Sequence, residues 1–250
     1  MSNFSFTGKT VLVTGGSSGI GRAVAEKLAD AGASVIITGR RADALKQAAA
    51  ELGPRVTAIR ADASDEAELD ELFRQITDQH GRLDGVMVNA GGGGFAPLDS
   101  VTGADIDAAL ATNVRGAILT IQKALPLLDR GASIVSTGST AAPGGIAAFG
   151  LYSASKAALR ALTRTWAAEL APRGIRVNDI VPGPTHTAGL EGLGGEDPSG
   201  LLSALAKNTL FDQLVQPTEV AAAVLFLLSD ASSGVTGSEL FVDNGEAHSK

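Results

Sequence analysis

The chain has 250 residues, 44% of them hydrophobic, with 20 basic against 27 acidic side chains and a formal charge of −7 at pH 7. That length suits one large α/β domain with a well-buried core, and the acidic balance weighs against nucleic acid or an anionic membrane as a partner. Cysteine is absent, which excludes disulfides, thiol catalysis and a cysteine-bearing zinc site; His80, His186 and His248 show no metal-ligand spacing, so no metal is expected.

Residues 10–14 read as a short buried strand running directly into Gly15-Gly16-Ser17-Ser18-Gly19-Ile20-Gly21. Beyond it Ile20, Ala23, Val24, Leu28 and Ala31 recur at helical spacing, and Gly32 is placed to end that helix. A strand, a glycine-rich turn and a helix N-terminus together make an anion site. Backbone N–H groups and the helix dipole face a pyrophosphate, and missing side chains let it approach. Gly15, Ser17, Ser18, Gly19, Ile20 and Gly21 are the candidate cradle, spaced G-x-x-x-G-x-G.

A second strand over 34–38 ends in Gly39-Arg40-Arg41, where a carboxylate is expected if the pocket holds the free ribose hydroxyl of NAD. None is present. Glycine leaves space, and Arg40 and Arg41 can grip a 2′-phosphate, so NADP(H) is favoured over NAD(H). The alternative is two solvated arginines opening the next helix. A helix over 42–52 and a strand over 56–60 follow. Asp62, just beyond that strand, either accepts a hydrogen bond from an adenine amino group or caps the helix that begins near Ser64.

A helix over 65–80 leads to a strand over 84–88 and then to Asn89-Ala90-Gly91, followed by three more glycines. Small residues at the C-terminal end of a parallel strand are expected beside a ligand, and the glycine run points to a loop that orders on binding. A helical region over 100–128 carries Asn113, a poor mid-helix residue. It marks a local kink, positions a water, or is simply solvated.

A strand over 132–137 delivers Gly138-Ser139 to the same sheet edge, and a glycine-containing loop brings the chain to Tyr152. Leu159, Leu162, Trp166 and Leu170 recur at helical spacing, a core or subunit-packing stripe. A strand over 175–181 ends in Pro182-Gly183-Pro184, followed by Thr185-His186-Thr187. Residues 188–200 are too polar and interrupted for core, and a substrate lid is expected near 186–210. A helix over 217–228 and a strand over 239–242 finish the chain, with no repeat, linker or second domain. Residues 1–9 lack the apolar core of a signal peptide, and the longest apolar run is far short of the ~20 residues of a spanning helix. A soluble, cytoplasmic protein is expected.

The chemistry gathers at Tyr152 and Lys156, four apart and therefore on one helix face. An unperturbed phenol titrates near ~10, too high for proton exchange at neutral pH. An ammonium about 4 Å away contributes on the order of 4 kcal/mol at an effective dielectric of about 20. At about 1.4 kcal/mol per pKa unit, that field lowers the phenol by roughly two to three units. Tyr152, the single tyrosine in the chain, is then poised as a general acid/base. Ser139 offers a hydroxyl to hold a substrate oxygen while its charge changes.

Thr14-Gly15-x-x-x-Gly19-x-Gly21, Asn89-Ala90-Gly91, Asn113, Ser139, Tyr152-x-x-x-Lys156 and Pro182-Gly183 together resemble the short-chain dehydrogenase/reductase family in its 250-residue form. The resemblance covers essentially the whole chain, in family order and spacing. It implies an α/β, Rossmann-type doubly wound parallel sheet of seven strands in the order 3-2-1-4-5-6-7, helices on both faces, a nicotinamide cofactor and a homotetramer. It also implies a tetrad of Asn113, Ser139, Tyr152 and Lys156. In such enzymes Tyr152 protonates a carbonyl oxygen as hydride arrives, or takes the alcohol proton in reverse. Lys156 binds the nicotinamide ribose and lowers the phenol pKa, Ser139 orients the substrate, and Asn113 holds a water linking Lys156 to solvent. Asn89, Ala90, Gly91, Pro182, Gly183 and Thr185 are expected along the cofactor, with Thr187 on its carboxamide.

Thr38-Gly39-Arg40-Arg41 looks like NADP-preferring carbonyl reductases and secondary-alcohol dehydrogenases. The expected reaction interconverts a ketone or aldehyde and an alcohol; a non-catalytic NADP(H)-binding regulator and an NAD-using enzyme are the rival readings. Residues 92–95, 141–149 and 190–193 are mostly small or apolar, which favours a neutral, apolar substrate. The chain departs from the family pattern at Val88, where a second asparagine is frequent, and at Asp179, where a small residue is usual. Residues 212–217 and Asn244 depart as well.

Overall fold

In the computed structural model, which describes residues 4–248 without the side chain of His248, Val11, Leu12 and Val13 are almost completely buried. Residues 1–3, part of the N-terminal stretch read above, and the His248 side chain lie outside this set. Three successive apolar residues are buried because the strand that carries them, β1 (Thr10–Thr14), has helices over both faces. Its neighbours are β2 (Ser34–Gly39), β3 (Val56–Arg60), β4 (Leu83–Val88), β5 (Leu128–Thr137), β6 (Arg176–Pro182) and β7 (Glu239–Val242). They form one seven-stranded sheet in the order β3-β2-β1-β4-β5-β6-β7, and every pairing is parallel.

The pleat divides the core in two. Val11, Val13, Val35 and Ile37 pack with Val24 and Leu28 of α1 (Gly19–Asp30), Leu45 of α2 (Ala42–Leu52) and Val224 and Leu225 of α9 (Pro217–Leu228). Leu12, Ile36 and Ile59 point the other way, toward Leu69, Leu72 and Ile76 of α3 (Glu66–His80), Ile121 of α5 (Gly116–Ala124) and Leu159 of α6 (Gly150–Leu170). The remaining helices are α4 (Gly103–Leu110), α7 (Ala188–Gly192) and α8 (Pro198–Ala206). None of the helices described is long and apolar enough to cross a membrane.

Most boundaries fall within a few residues of expectation, and the informative differences have local reasons. Asp65 lies outside α3 and accepts the Glu68 N–H at 3.1 Å, so it is the cap rather than the first helical residue. β5 starts at Leu128, before a register shift against β4 that passes exposed Asp129, Arg130 and Gly131; the polar bulge hides the strand start. The helical region around Asn113 is broken by a π-turn at Ala111–Arg115, the kink that an asparagine there suggested. The 188–200 stretch forms two short helices, capped by the Thr187 and Asp197 side chains.

β6 carries site residues at its end, and Arg176 fixes its start. The guanidinium donates to Leu227 O at 2.9 Å, Ser229 O at 3.0 Å and Ser232 Oγ at 2.7 Å, adding charge-assisted bonds to carbonyls at the end of α9 that the Ser133 and Ser232 hydroxyls also reach. Arg176→Met keeps the stem but removes the three guanidinium bonds. Urea denaturation should show a loss of about 3 kcal/mol in unfolding free energy.

Candidate active site

The loops after β1, β2, β4, β5 and β6 open on one sheet edge, around the point between β1 and β4 where strand order reverses. Thr14 ties two of these loops together. Its hydroxyl oxygen accepts the Asn89 and Ala90 N–H groups, both at 2.9 Å, while Asn89 Nδ2 donates to Thr14 O at 3.1 Å. Gly15 has φ +67°, and a Cβ there would stand 2.9 Å from Asn89 Nδ2, so only glycine fits. Gly21 is just as restricted, because a Cβ would strike the Gly15 carbonyl. It packs α1 against the turn and, unlike the other predicted cradle residues, does not line the cleft. The side chain of Ser18, the residue before α1, makes no capping bond. The first N–H groups of the helix therefore remain open toward the cleft.

Beyond β2, Arg40 and Arg41 are exposed on the cleft wall, and neither guanidinium donates a hydrogen bond among the described residues. Asp62 faces them. Its Oδ1 accepts the Ser64 N–H at 2.9 Å and hydroxyl at 2.8 Å, a turn that precedes α3 rather than its cap. Burial pushes the Asp62 carboxyl up, but Ser64, Arg40 and Arg60 outweigh it and hold the group below its usual range.

Tyr152 lies in the first turn of α6 and faces the cleft; Lys156, one turn on, is 4% exposed. Lys156 Nζ donates to Thr137 O at 2.7 Å and stands 5.5 Å from the Tyr152 ring centroid. Asn113 is buried, not solvated. Its Oδ1 accepts Gly92 N at 3.0 Å, and its Nδ2 donates to Gly92 O at 2.8 Å and to Ser155 Oγ at 2.9 Å. Ser155 Oγ in turn donates to Tyr152 O at 2.7 Å. Both amide hydrogens are therefore spent on bracing the glycine loop and the first turn of α6. That loop is fitted to its neighbours: a Cβ at Gly93 would come within 2.7 Å of three Tyr152 atoms, and one at Gly91 would meet Asn113 Oδ1 at 2.8 Å. Space, rather than mobility alone, accounts for these glycines.

Ser139 follows β5, and its Oγ accepts the Ala141 N–H at 3.1 Å, leaving the hydroxyl hydrogen free to point at a ligand. Behind it, Asp179 of β6 is 1% exposed and accepts the Ser136 hydroxyl at 2.7 Å. Burial, aided by the Glu239 charge, pushes the Asp179 carboxyl up to about 7 against the opposing pull of Ser136, Lys156 and the Gly138 backbone. Pro182, Gly183, Thr185 and Thr187 line the far wall. Gly183 is fixed by its close approach to Asp243, Thr185 Oγ1 donates to Gly183 O at 2.9 Å, and Thr187 Oγ1 accepts the Leu190 N–H at 3.2 Å.

These groups share one cleft of about 1040 Å³. It is larger than a pocket for one small molecule needs and can hold a dinucleotide together with a substrate. The residues fit such a cofactor: an uncapped helix N-terminus, the glycine cradle, two free guanidiniums, and Thr38 Oγ1 with no partner among the described residues. Thr14 opened the glycine motif without a role of its own, and its hydroxyl proves to join the loops after β1 and β4. Phe149 ends the 141–149 stretch read as apolar pocket lining, and its ring lies 4.6 Å from that of Tyr152, a contact no local pattern marks.

The sequence model of a family described as "Enoyl-(Acyl carrier protein) reductase" matches residues 15–246. "Oxidoreductase asL5" of Sarocladium schorii is 41% identical over 96% of this chain and 96% of its own length. The "2,5-dichloro-2,5-cyclohexadiene-1,4-diol dehydrogenase" of Sphingobium indicum is 37% identical over 96% of this chain and 97% of its own. A crystal structure from Brucella melitensis, described as "Short-chain dehydrogenase/reductase SDR:Glucose/ribitol dehydrogenase", superposes with a TM-score of 0.92 at 32% identity, covering 98% of this chain and 99% of that one.

Two outcomes follow from this geometry. Gly93→Ala pushes on the Tyr152 ring, and turnover should fall by roughly 10²-fold while the melting temperature changes little. For Asp179, the unfolded carboxyl titrates near 3.8 and the folded one near 7, so across that window the folded state binds more protons. Stability must then fall as pH rises from about 4 to about 7, by on the order of 4 kcal/mol in total. Asp179→Asn should remove that fall, so denaturation curves of parent and variant diverge with rising pH.

Proposed function

The chain belongs to the short-chain dehydrogenase/reductase family, oxidoreductases that act on CH–OH groups with nicotinamide cofactors, and from that premise we propose an NADP(H)-dependent enzyme that interconverts a neutral, apolar ketone or aldehyde and its alcohol. The observation that carries the reading is the buried Lys156 ammonium, held by Thr137 O and set 5.5 Å from the Tyr152 ring at the inner end of the cleft. A nicotinamide dinucleotide bound there supplies or accepts the hydride.

In reduction Tyr152 gives its phenolic proton to the carbonyl oxygen, and in oxidation it takes the proton of the alcohol. Lys156 stabilises the phenolate left behind and bonds the ribose of the cofactor. Ser139, whose Oγ lone pair is engaged by Ala141 N–H, turns its hydrogen to the substrate oxygen. Asn113 holds the glycine loop in register with Tyr152. The π-turn around it loosens the backbone ladder, and we assign to it the water that joins Lys156 to solvent. Gly15, Ser17, Ser18, Gly19 and Ile20 receive the pyrophosphate, Arg40 and Arg41 the 2′-phosphate, and Asp62 the adenine. Thr187 spends a lone pair on Leu190 N–H and keeps its hydrogen for the carboxamide.

The substrate end is apolar and flat. Phe95, Phe149 and Tyr152 follow one another with ring centroids 5.2 and 4.6 Å apart, and Ile146, Leu201 and Leu205 add to the wall. The only cations lining the cleft among the described residues are Arg40, Arg41 and Lys156, so a substrate carboxylate finds no dedicated partner. The Sphingobium relative is named for a ring diol, and a ring of that size suits this wall. The reading extends to a lid over 186–210, since α7 and α8 contribute Leu190 and Leu201 to the cleft. It extends also to a homotetramer in the cytoplasm, supported by exposed Ile106, Leu110 and Ile118 on the α4–α5 surface.

NADPH consumption over aldehydes, cyclic ketones, aryl ketones and keto esters tests the reaction; cofactor binding with no turnover on any of them would point instead to a nucleotide-binding regulator. On the best substrate, Tyr152→Phe should lower kcat by about 10²- to 10⁴-fold with NADPH affinity nearly unchanged. Arg40→Ala should weaken NADPH binding about tenfold or more and leave NADH binding alone. A parent enzyme that prefers NADH would contradict the cofactor assignment.

A further inference from the structure

Asp179 is a buried carboxyl at the foot of the site that nothing in the proton transfer described above employs. Its setting is nonetheless specific. The Ser136 hydroxyl bonds Oδ1 at 2.7 Å and is itself 2.7 Å from Thr163 Oγ1 of α6. Oδ2 lies so close to Gly138 that no Cβ could stand there. The carboxyl is thus pressed against the backbone that carries Ser139 on one side and Thr137, the acceptor of Lys156, on the other.

The charges around it form two facing rows. Lys156, Arg160 and Arg164 stand on successive turns of α6; Asp179 and Glu239 are register partners on β6 and β7. Glu239 remains a carboxylate but is already paired, with Oε1 accepting Arg160 Nε at 2.7 Å and Arg164 Nη2 at 2.6 Å. Lys156 is the cation left to Asp179, yet its Nζ bonds Thr137 O rather than the carboxyl. The charged groups acting on Asp179 are therefore Lys156 from α6 and Glu239 from β7, with neutral Ser136 and the Gly138 backbone from the β5 side.

We propose that Asp179 is a positioning residue of the proton-transfer centre: as a neutral acid it leaves the Lys156 charge whole beside Tyr152, and as a carboxylate it offsets that charge. Its protonation state then sets how readily Tyr152 gives up its proton. The inference rests on the assignment of Tyr152 and Lys156 as the acid/base pair. The change of charge falls near neutral pH, because burial and Glu239 together bring the Asp179 carboxyl to about 7. Above that pH the site works with the carboxylate present. Each ~1.4 kcal/mol that such a charge adds to or removes from the field on a titrating group moves its titration by about one pH unit.

The single tyrosine makes this measurable without substrate or cofactor. Phenolate absorbance of the full chain reports Tyr152 alone, and fluorescence of the single tryptophan, Trp166, reports that the fold is intact. In Asp179→Asn the onset of phenolate absorbance should move down by about one pH unit. The rising limb of alcohol oxidation against pH should move with it, giving about tenfold more rate at a pH on that limb. Asp179→Ser, which removes the carboxyl with a smaller side chain, should show the same displacement and decides the matter if the asparagine variant does not fold. Superimposable phenolate titrations and limbs, even with a uniformly lower rate, would overturn the inference and leave Asp179 a packing residue. Undiminished turnover in Tyr152→Phe would instead overturn the assignment beneath it.

Discussion

The buried ammonium of Lys156 is the constraint to which the rest of the site is fitted. Removing such a charge from water costs several kcal/mol, and a fold keeps it only where partners offset much of that cost. Here the hydrogen-bond partner among the described residues is one backbone carbonyl, Thr137 O, at the last residue of β5. That acceptor is fixed by sheet geometry and cannot follow the lysine if it moves. The position of Nζ is consequently determined by two regular elements, a central strand and a long helix, and Tyr152 inherits that precision from the same helix.

Close contacts around the pair are maintained by glycine. Gly91 and Gly93 let the loop after β4 lie directly on Asn113 and Tyr152, and Gly138 lets the Asp179 carboxyl lie under the strand end. Asn113 then joins the layers, binding both the N–H and the carbonyl of Gly92 and reaching Tyr152 O through Ser155. The π-turn that carries Asn113 interrupts an otherwise regular helix, a local cost accepted for the placement of one side chain. Function and stability meet again at Asp179, where a carboxyl without a full counter-charge sits beneath the chemistry.

Much of this architecture was legible in the sequence wherever the signal was local. The strand over 10–14, the helices over 42–52 and 217–228 and the strand over 239–242 fall where the apolar patterns put them, and the strand order follows the family resemblance. The losses came where a residue's meaning depends on something distant in sequence. Asp62 binds Ser64 instead of capping α3, which no spacing rule separates from a cap. Gly21, read as part of a phosphate cradle, is also held to glycine by a carbonyl behind the turn, which spacing alone does not show. The glycine run read as small residues beside a ligand in a loop that orders on binding; that Gly93 also lies against a ring some sixty residues away in sequence is what no spacing shows. Phe149 and Asp179 gain their significance only from cross-element contacts, with Tyr152 in one case and with Ser136, Glu239 and Lys156 in the other.

The most direct test asks whether the ammonium acts on the phenol. In Lys156→Met the stem can still fill its channel while the charge is gone, and the phenolate absorbance of the single tyrosine can be followed against pH in parent and variant. The account predicts that phenolate appears at a distinctly higher pH in Lys156→Met than in the parent. Phenolate appearing at the same pH in both proteins would contradict it.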